Sequence, residues 1–323
     1  MDFTIFTAST DDDSRRIDRL CLKMMPHLPR SAVFSALRKG LIKVDGKKVK
    51  PQTQIHAGSR IEIASFLTPL AQDSKGTGSE IEKLPFDIVF KNADIMFICK
   101  PSGISVQPSR DSDTSVSECI KKSAEKNDSL SFTPAPLHRI DRYTSGLLAV
   151  SQSTRGARIF KELMESHSIK KTYLGICEGR LPEESEWKDF ISEEENLVEG
   201  SFYRVKVSGK KTDGAREALT RARPLSAKED LSLVLYTIET GRKHQIRAQS
   251  AFHGFPLHGD TAYGGKPLSK FAGNEKFFLH AYSLEFPKEN ELGLPQKITC
   301  PLPQHFENFL KNNLLNWDRE IIL

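Results

Sequence analysis

The chain has 323 residues, 38% of them hydrophobic and 28% charged, with a formal net charge of +5. This length suffices for about two domains with buried cores. No apolar run approaches the roughly 18 residues of a membrane-spanning helix, and the N-terminus has neither a secretory nor a transit pattern, so we expect a cytoplasmic protein with no membrane partner. The five cysteines are odd in number, far apart and without C-x-x-C spacing, which predicts free thiols and neither zinc nor disulfides.

The first 66 residues have the pattern of two helices followed by a hairpin. Apolar residues at helical spacing predict a helix over 17–24, and a second helix is predicted over 31–39 with Gly40 as its C-terminal stop. An Asp-Gly turn inside residues 41–50 predicts a β-hairpin, and residues 60–63 predict a last strand. This order predicts a small, separate domain.

The excess positive charge of the chain lies in this first segment. Residues 1–66 hold twelve Lys and Arg against seven Asp and Glu, whereas residues 67–323 hold 35 of each sign. A cluster of basic residues on a compact unit favours an electrostatic contact with phosphates over a merely solvated face. The predicted RNA-binding residues are Arg30, Arg38, Lys39, Lys43, Lys47, Lys48 and Lys50.

A polar segment rich in glycine and serine separates this unit from the rest of the chain. We expect a domain over residues 1–66, a flexible linker over 67–84 and a second domain over 85–323. The second domain opens with two short apolar runs, 86–90 and 95–99, that predict a hairpin.

The most informative segment of the second domain is residues 138–146, His-Arg-Ile-Asp-Arg-Tyr-Thr-Ser-Gly. Asp141 stands between two arginines, in a polar loop that precedes the apolar run 147–150. A rigid strand next to a loop holds the catalytic side chains of that loop in fixed positions. Taken alone, the pattern fits a structural ion pair at least as well as an acid that acts on a nucleic acid.

Two further segments carry aromatic and basic side chains in a defined order. Tyr173 enters an apolar strand, where an aromatic residue either packs in the core or offers a face on which a base can stack. His244 and Arg247 lie three residues apart on one predicted helix face beside small apolar residues, so the guanidinium requires a carboxylate partner. A metal site built from histidines is the weaker alternative, because His244, His253 and His258 lack an acid at ligand spacing.

Five ordered motifs resemble those of the RluA-type pseudouridine synthases. They are residues 97–103, 138–146, 171–173, 241–247 and 259–264. The first domain resembles the alpha-L RNA-binding module, through residues 28–31, 37–40 and 44–47. An alpha-L module ahead of this catalytic domain is similar to the family members that modify large-subunit ribosomal RNA.

The resemblance implies a fold, an activity and a partner. The fold would be α+β, with a central, mostly antiparallel mixed sheet behind a small alpha-L domain. The activity would be isomerisation of specific uridines to pseudouridine, without a cofactor or a metal, by a protein that acts as a monomer. The partner would be RNA, and large-subunit ribosomal RNA in particular.

The resemblance also implies roles for single residues. Asp141 would be the catalytic aspartate, acting either as a nucleophile or as a base toward the sugar. Tyr173 would stack on the uracil and exchange a proton, and Arg247 would pair with the aspartate. Substrate contacts are expected from Arg139, which would fill the space left by the nucleotide, and from Arg142, His244, Gln245 and the apolar Leu279.

Two alternatives remain open at this point. One is a catalytically silent RNA-binding or ribosome-assembly protein on the same fold, and the other is a synthase that acts on tRNA. The presence of Asp141, Tyr173 and Arg247 together favours an enzyme over the silent protein.

Overall fold

A computed structural model describes residues 1–68, 83–108, 114–124, 128–193, 204–268, 276–313 and 315. The chain divides into two compact units, one of residues 1–84, 120–135 and 151–158, and one of residues 85–119, 136–150 and 159–323. Most of the expected linker lies outside the described residues, and the domain boundaries drawn from the sequence stay a prediction.

The first unit is built on a four-stranded antiparallel sheet and two helices. The strands are β1 (Phe3–Thr7), β2 (Ile42–Val44), β3 (Lys47–Lys48) and β4 (Arg60–Ala64), in the order β1-β4-β2-β3, and the helices are α1 (Ile17–Met24) and α2 (Arg30–Lys39). Both helices, the hairpin and the last strand agree with the sequence prediction. Strand β1 was not predicted, and it pairs along its whole length with β4.

The helices of this unit form because each carries an apolar face that the sheet covers. Leu20 of α1 and Leu37 of α2 are fully buried together with Ile61 of β4. Helix α2 ends at Gly40, whose φ of 72° is the left-handed conformation that glycine adopts without steric cost.

The second unit is dominated by a ten-stranded sheet. Its strands are β5 (Ile88–Lys91), β6 (Ile95–Lys100), β7 (Ser145–Ser151), β8 (Lys170–Glu178), β9 (Ser185–Glu193), β10 (Val205–Ser208), β11 (Arg216–Lys228), β12 (Leu231–Ile238), β13 (Leu279–Glu285) and β14 (Lys297–Thr299). The remaining helices are α3 (Val116–Ser123), α4 (Thr154–Glu165), α5 (Gln245–Phe252) and α6 (Gln304–Asn312).

The order of the strands along this sheet is β10-β9-β11-β12-β8-β13-β7-β6-β5, with β14 paired to β13. Strand β7 pairs in parallel with β13, whereas the pairs from β10 to β13 are antiparallel. The prediction of an α+β fold with a mixed, mostly antiparallel sheet is confirmed. Among the described residues, no helix has the length and apolar character that a bilayer crossing requires.

Strand β7 is buried along its full length and delivers the loop of Asp141 to the middle of the sheet. Gly146 allows the close pairing with β13, because a Cβ atom there would collide with the backbone of Ala281. Its φ of 115° is also a conformation that other residues rarely adopt.

The prediction of five free thiols was wrong for one pair. Cys99 at the end of β6 and Cys300 just after β14 form a disulfide, with their Cα atoms 5.9 Å apart. They are 201 residues apart in the chain, so only the strand order, and no local spacing, brings them together. Cys21, Cys119 and Cys177 are not part of a disulfide.

Candidate active site

The loop of Asp141 is held from behind by strand β7. The Leu137 N–H donates to the carbonyl of Ala149 at 2.8 Å, and the Ala149 N–H donates to Nε2 of His138 at 3.0 Å. Because Nε2 of His138 accepts this bond, that nitrogen carries no proton. Burial lowers the pKa of His138 to about 4, and the charge of Lys171 adds to the effect.

The turn after β6 holds the other side of the same loop. Lys100 is 1% exposed, and its Nζ donates to the carbonyls of Pro101, Ile104 and Arg142 at 2.8–3.0 Å. The Arg142 Nε donates in turn to the carbonyl of Gly103 at 2.9 Å. Arg142 therefore stabilises the loop next to Asp141, and its predicted contact with substrate stays a prediction.

Arg247 links Asp141 to a second acid. Its Nε and Nη2 donate to the two carboxylate oxygens of Asp260 at 2.7 and 2.9 Å, and its Nη1 lies 3.4 Å from Oδ2 of Asp141. The expected pair with Asp141 is present, but the bidentate partner is Asp260. Burial alone would lower the pKa of Arg247, and the hydrogen bonds and charge of Asp260 outweigh it and raise that pKa.

The position of Asp260 depends on a glycine before it. Gly259 has a φ of 95°, and a Cβ atom there would lie 2.5 Å from the carbonyl oxygen of Lys276. The chain can therefore pass close to residue 276 and present Asp260, which is 2% exposed, to the guanidinium. Phe277 lies over that guanidinium at 4.4 Å.

His244 faces the other oxygen of the Asp141 carboxylate. It precedes α5 in the left-handed conformation, with φ 53°, and its Nε2 lies 4.0 Å from Oδ1 of Asp141. Its Nδ1 is 2.9 Å from the hydroxyl of Tyr263. Burial lowers the pKa of His244 to about 4, although the charge of Asp141 opposes the shift, so the ring is neutral at pH 7.

Two cavities meet at Asp141. The outer one has a volume of about 450 Å³ and is lined by residues 105–108 and 139–143 together with Arg247, Asp260 and Phe277. The smaller one, of about 150 Å³ and called the inner cavity below, has Asp141, Tyr173 and Leu279 in its wall. Because the two cavities share Asp141 and Arg247 in their walls, the smaller one can admit one extruded base while the neighbouring polymer stays in the larger one.

Tyr173 lies on β8 opposite Ala281 of β13, which places its ring in the wall of the inner cavity. Burial, and to a lesser extent the negative charge of Asp141, raises the pKa of Tyr173. The phenol is thus protonated in the resting protein at neutral pH, and this state suits stacking and hydrogen-bond donation.

Of the other residues predicted to contact substrate, Arg139 is exposed to solvent, whereas the side chain of Gln245 is hydrogen-bonded within the protein. Arg139 is exposed and lines both cavities. Gln245 is buried, and its amide is committed to protein atoms: it accepts from Thr240 and the Arg242 N–H, and it donates to Leu219 and Thr220. Gln245 therefore shapes the turn before α5.

The three histidines considered as metal ligands each contact a different side chain. His253 contacts Asp189 at 2.9 Å, His258 contacts Glu178 at 2.7 Å, and His244 contacts Tyr263. No cluster of three ligand side chains occurs in the part of the chain that the structure describes.

The seven basic residues predicted to contact RNA lie on α2, β2, β3 and the segment after β3. Six of them are exposed, and Lys43 is half-buried with its Nζ 4.5 Å above the ring of Phe3. Asp45, the one acid among residues 38–50, accepts a hydrogen bond from the Arg60 N–H. None of the seven forms an ion pair within the described ranges, so their charges are available to an anion.

Sequence reasoning missed Lys100, Asp260 and Tyr263 as site residues. All three lie inside the motifs at 97–103 and 259–264. What the motifs could not show is that the side chains of Asp260 and Tyr263 converge on the partners of Asp141.

Comparisons with known proteins match both parts of the chain to known families. A family model described as RNA pseudouridylate synthase matches residues 94–252, and a model of the S4 domain matches residues 15–61. The chain belongs to the RNA pseudouridylate synthase family and carries an S4 domain at its N-terminal end. It is therefore an RNA-modifying isomerase by family.

Similar curated proteins cover nearly the whole chain. The ribosomal large subunit pseudouridine synthase C of Haemophilus ducreyi is 26% identical over 94% of this chain and 94% of its own length. The protein of the same name in Vibrio cholerae is 27% identical over 93% and 94%. An uncharacterized RNA pseudouridine synthase of Mycoplasma genitalium is 29% identical over 98% of both.

Among solved structures, human RNA pseudouridylate synthase domain containing 4 matches with a TM-score of 0.57 at 22% identity, covering 72% of this chain and 94% of that one. Human RNA pseudouridylate synthase domain containing 1 matches with a TM-score of 0.51 at 20% identity, over 73% and 97%. At these identities the likeness shows the fold.

Proposed function

We propose that this protein converts specific uridines of large-subunit ribosomal RNA to pseudouridine, as a cytoplasmic monomer, with Asp141 as its catalytic residue. The observation that carries the proposal is the position of Asp141. Its carboxylate lies where the two cavities meet, with Arg247 on one oxygen and His244 facing the other. The names of the similar bacterial proteins support ribosomal RNA as the substrate.

The reaction requires a base to be detached, turned and reattached. The bond between N1 of the uracil and C1′ of the ribose breaks, and a bond forms between C5 and C1′. The proton lost from C5 is balanced by a proton gained at N1, so no oxidant or co-reactant is consumed. Asp141 acts either on C1′ as a nucleophile or on a ribose proton as a base, and both routes require it to face the sugar.

The residues of the inner cavity hold the base while it is unattached. Tyr173 offers a ring for stacking and Leu279 an apolar wall. Keeping water out of this cavity matters, because a detached uracil must not be lost before the new bond forms. Arg247 orients Asp141 and compensates its partial burial.

A uridine stacked in RNA must first be extruded, at a cost of a few kcal/mol. Phosphate contacts with the basic face of the S4 domain offset part of this cost. Arg139, exposed at the mouth of both cavities, is placed to occupy the position that the extruded base leaves.

The decisive experiment treats RNA from cells that lack this gene with the purified protein and maps the pseudouridines formed. Wild-type protein should modify large-subunit RNA, and Asp141→Asn should form no product while its RNA affinity stays within about threefold of wild type. Asp87→Asn, the same change at an exposed site outside both cavities, is the matched control and should keep full activity.

The open alternatives give distinct results in the same experiment. Product confined to the tRNA fraction would mean that the substrate class is wrong. Binding without product from any RNA would identify a catalytically silent protein. Full turnover by Asp141→Asn would remove Asp141 from the mechanism.

A further inference from the structure

Acidic and basic residues are equal in number after residue 66, but the fold does not distribute them evenly. Strand β10 and the connection that leads from it past β9 to the first residue of β11, residues 205–216, form a basic segment with four basic residues, Lys206, Lys210, Lys211 and Arg216, and one acid, Asp213. All five are exposed. The chain just after β10 is ordered by two hydrogen bonds between Ser208 and the backbone of Lys210.

The charges of this basic segment differ from those of the strands beside it. Lys188 of β9 pairs with Glu217 of β11 at 3.5 Å, and Arg221 of β11 pairs with Glu184 at 3.5 Å. The four basic residues of the segment form no ion pair within the described parts of the chain. Among the described residues, positive charge is therefore unpaired in the basic segment and paired on the strands beside it.

The N-terminal end of the basic segment is anchored next to the active site. Val205 and Val207 of β10 belong to a small apolar cluster with Ala248 of α5 and Tyr263. The Val205 N–H also donates to the Tyr263 hydroxyl at 3.0 Å. Because Ala248 is adjacent to Arg247 on the same helix, the basic segment begins beside the helix that carries the partner of Asp141.

We propose that this basic segment is a second RNA-backbone site, which binds phosphates beside the target uridine independently of the S4 domain. The proposal deepens the function proposed above and rests on it for the substrate. Flexible lysines near an exposed turn suit phosphates of variable position, because a lysine ammonium acts as a point charge without a fixed geometry. Binding at the basic segment places the polymer at the outer cavity while one base enters the inner one.

The test measures the affinity of a fluorescein-labelled stem–loop RNA over a series of salt concentrations, with the full-length Asp141→Asn protein so that no turnover occurs. The pair of changes Lys210→Gln and Lys211→Gln should lower the slope of log affinity against log salt by about 1.4 to 1.8, because each neutralised phosphate contributes about 0.7 to 0.9. The control changes two exposed lysines elsewhere in the same unit, Lys288→Gln and Lys311→Gln.

A slope that falls equally in both double variants, or in neither, overturns the proposal. This readout does not depend on pseudouridine formation. A protein that binds RNA through the basic segment but forms no product would contradict the proposed function and leave the binding site standing.

An independent observation concerns the proton on His244. The Tyr263 oxygen accepts the Val205 N–H, and its own proton is available for donation to Nδ1 of His244, 2.9 Å away. A neutral ring that accepts at Nδ1 carries its proton on Nε2, which faces Oδ1 of Asp141 at 4.0 Å. The other tautomer would set a lone pair against the carboxylate.

We infer that Tyr263 and His244 form a positioning pair that orients Asp141. Tyr263 fixes the tautomer, and the Nε2–H of His244 limits the rotation of the carboxylate, while Arg247 holds the other oxygen at 3.4 Å. The separation of 4.0 Å closes to a hydrogen bond when substrate fills the cavity, since catalytic contacts are often long before substrate binds.

The change Tyr263→Phe tests the pair, because it removes the hydroxyl and keeps the ring that Arg247 contacts at 5.1 Å. On RNA from cells that lack this gene, kcat should fall about tenfold with KM within about twofold. In a His244→Gln background, which keeps an N–H group without needing a tautomer, Tyr263→Phe should cause no further loss.

The nitrogen-15 shifts of the His244 ring provide a readout that needs no substrate, and they should show a protonated Nε2 and an unprotonated Nδ1. A protonated Nδ1, or an equal loss of kcat in both backgrounds, would overturn the inference. The second result would reduce Tyr263 to a structural support for Val205.

Discussion

Replacing Asp260 with asparagine changes one atom and removes the charge that holds Arg247. In the wild-type protein the carboxylate accepts two guanidinium hydrogen bonds at 2.7 and 2.9 Å. The two side chains are 2% and 10% exposed, so water cannot take over the lost contacts. The asparagine amide keeps one acceptor and turns a donor toward the guanidinium.

The size of the effect follows from burial. Removing one partner of a buried ion pair costs about 3 to 5 kcal/mol, because the remaining charge is desolvated and uncompensated. For a unit of roughly 200 residues, each kcal/mol corresponds to about 2 to 4 °C in melting temperature. The expected loss is therefore about 6 to 20 °C. Asp141 becomes the main anionic partner of Arg247, and we also expect activity to fall.

The assay compares thermal unfolding of Asp260→Asn with that of Glu165→Gln, which removes the same charge from an exposed pair. Glu165 and its partner Lys161 are 66% and 72% exposed with a separation of 3.5 Å, and such pairs contribute about 0.5 kcal/mol. A melting temperature of Asp260→Asn that equals that of the control would refute the conclusion that this ion pair stabilises the site.

Three further outcomes are expected. The change Gly146→Ala should destabilise the protein by more than about 3 kcal/mol in urea unfolding, because a Cβ atom would collide with the backbone of β13; a cost below 1 kcal/mol would contradict the close approach. Stability should fall from pH 6.5 toward 4, because burial lowers the pKa of His244 and of His280 from 6.5 to about 4. The unfolded chain then binds more protons than the folded one in this window, which costs about 2 kcal/mol per histidine at pH 5. His244→Gln should lose that part of the pH dependence, and an unchanged dependence would show that His244 does not contribute. Replacing the three lysines within residues 47–50 with glutamine should lower the salt slope of RNA binding by about 2.1 to 2.7, and an unchanged slope would mean that this face does not contact phosphate.

Several elements could be predicted because their signals are local. Helix α2 has apolar residues at helical spacing and a glycine directly after it, and the hairpin of β2 and β3 has an Asp-Gly turn. Each of these patterns depends on residues fewer than ten positions apart. The boundary of the predicted second helix differed from the observed one by a single residue.

Other elements could not be predicted because they depend on distant partners. Strand β1 is five residues long and is stabilised by β4, more than fifty residues later. The disulfide of Cys99 and Cys300 joins segments 201 residues apart, and the odd cysteine count pointed the other way. Both depend on strand order, which no local pattern contains.

For the site, the amino-acid sequence by itself determined which groups are present: an aspartate between arginines, an aromatic residue entering a strand, and an arginine on a small-residue helix face. Only the tertiary structure decided which oxygen of Asp141 meets Arg247 and which faces His244, and that Asp260 is the bidentate partner. The physical reason is that chemical identity is local to a residue. The distances and tautomers that make a group reactive are set by three segments, residues 138–146, 241–247 and 259–264, which meet only when the sheet is complete.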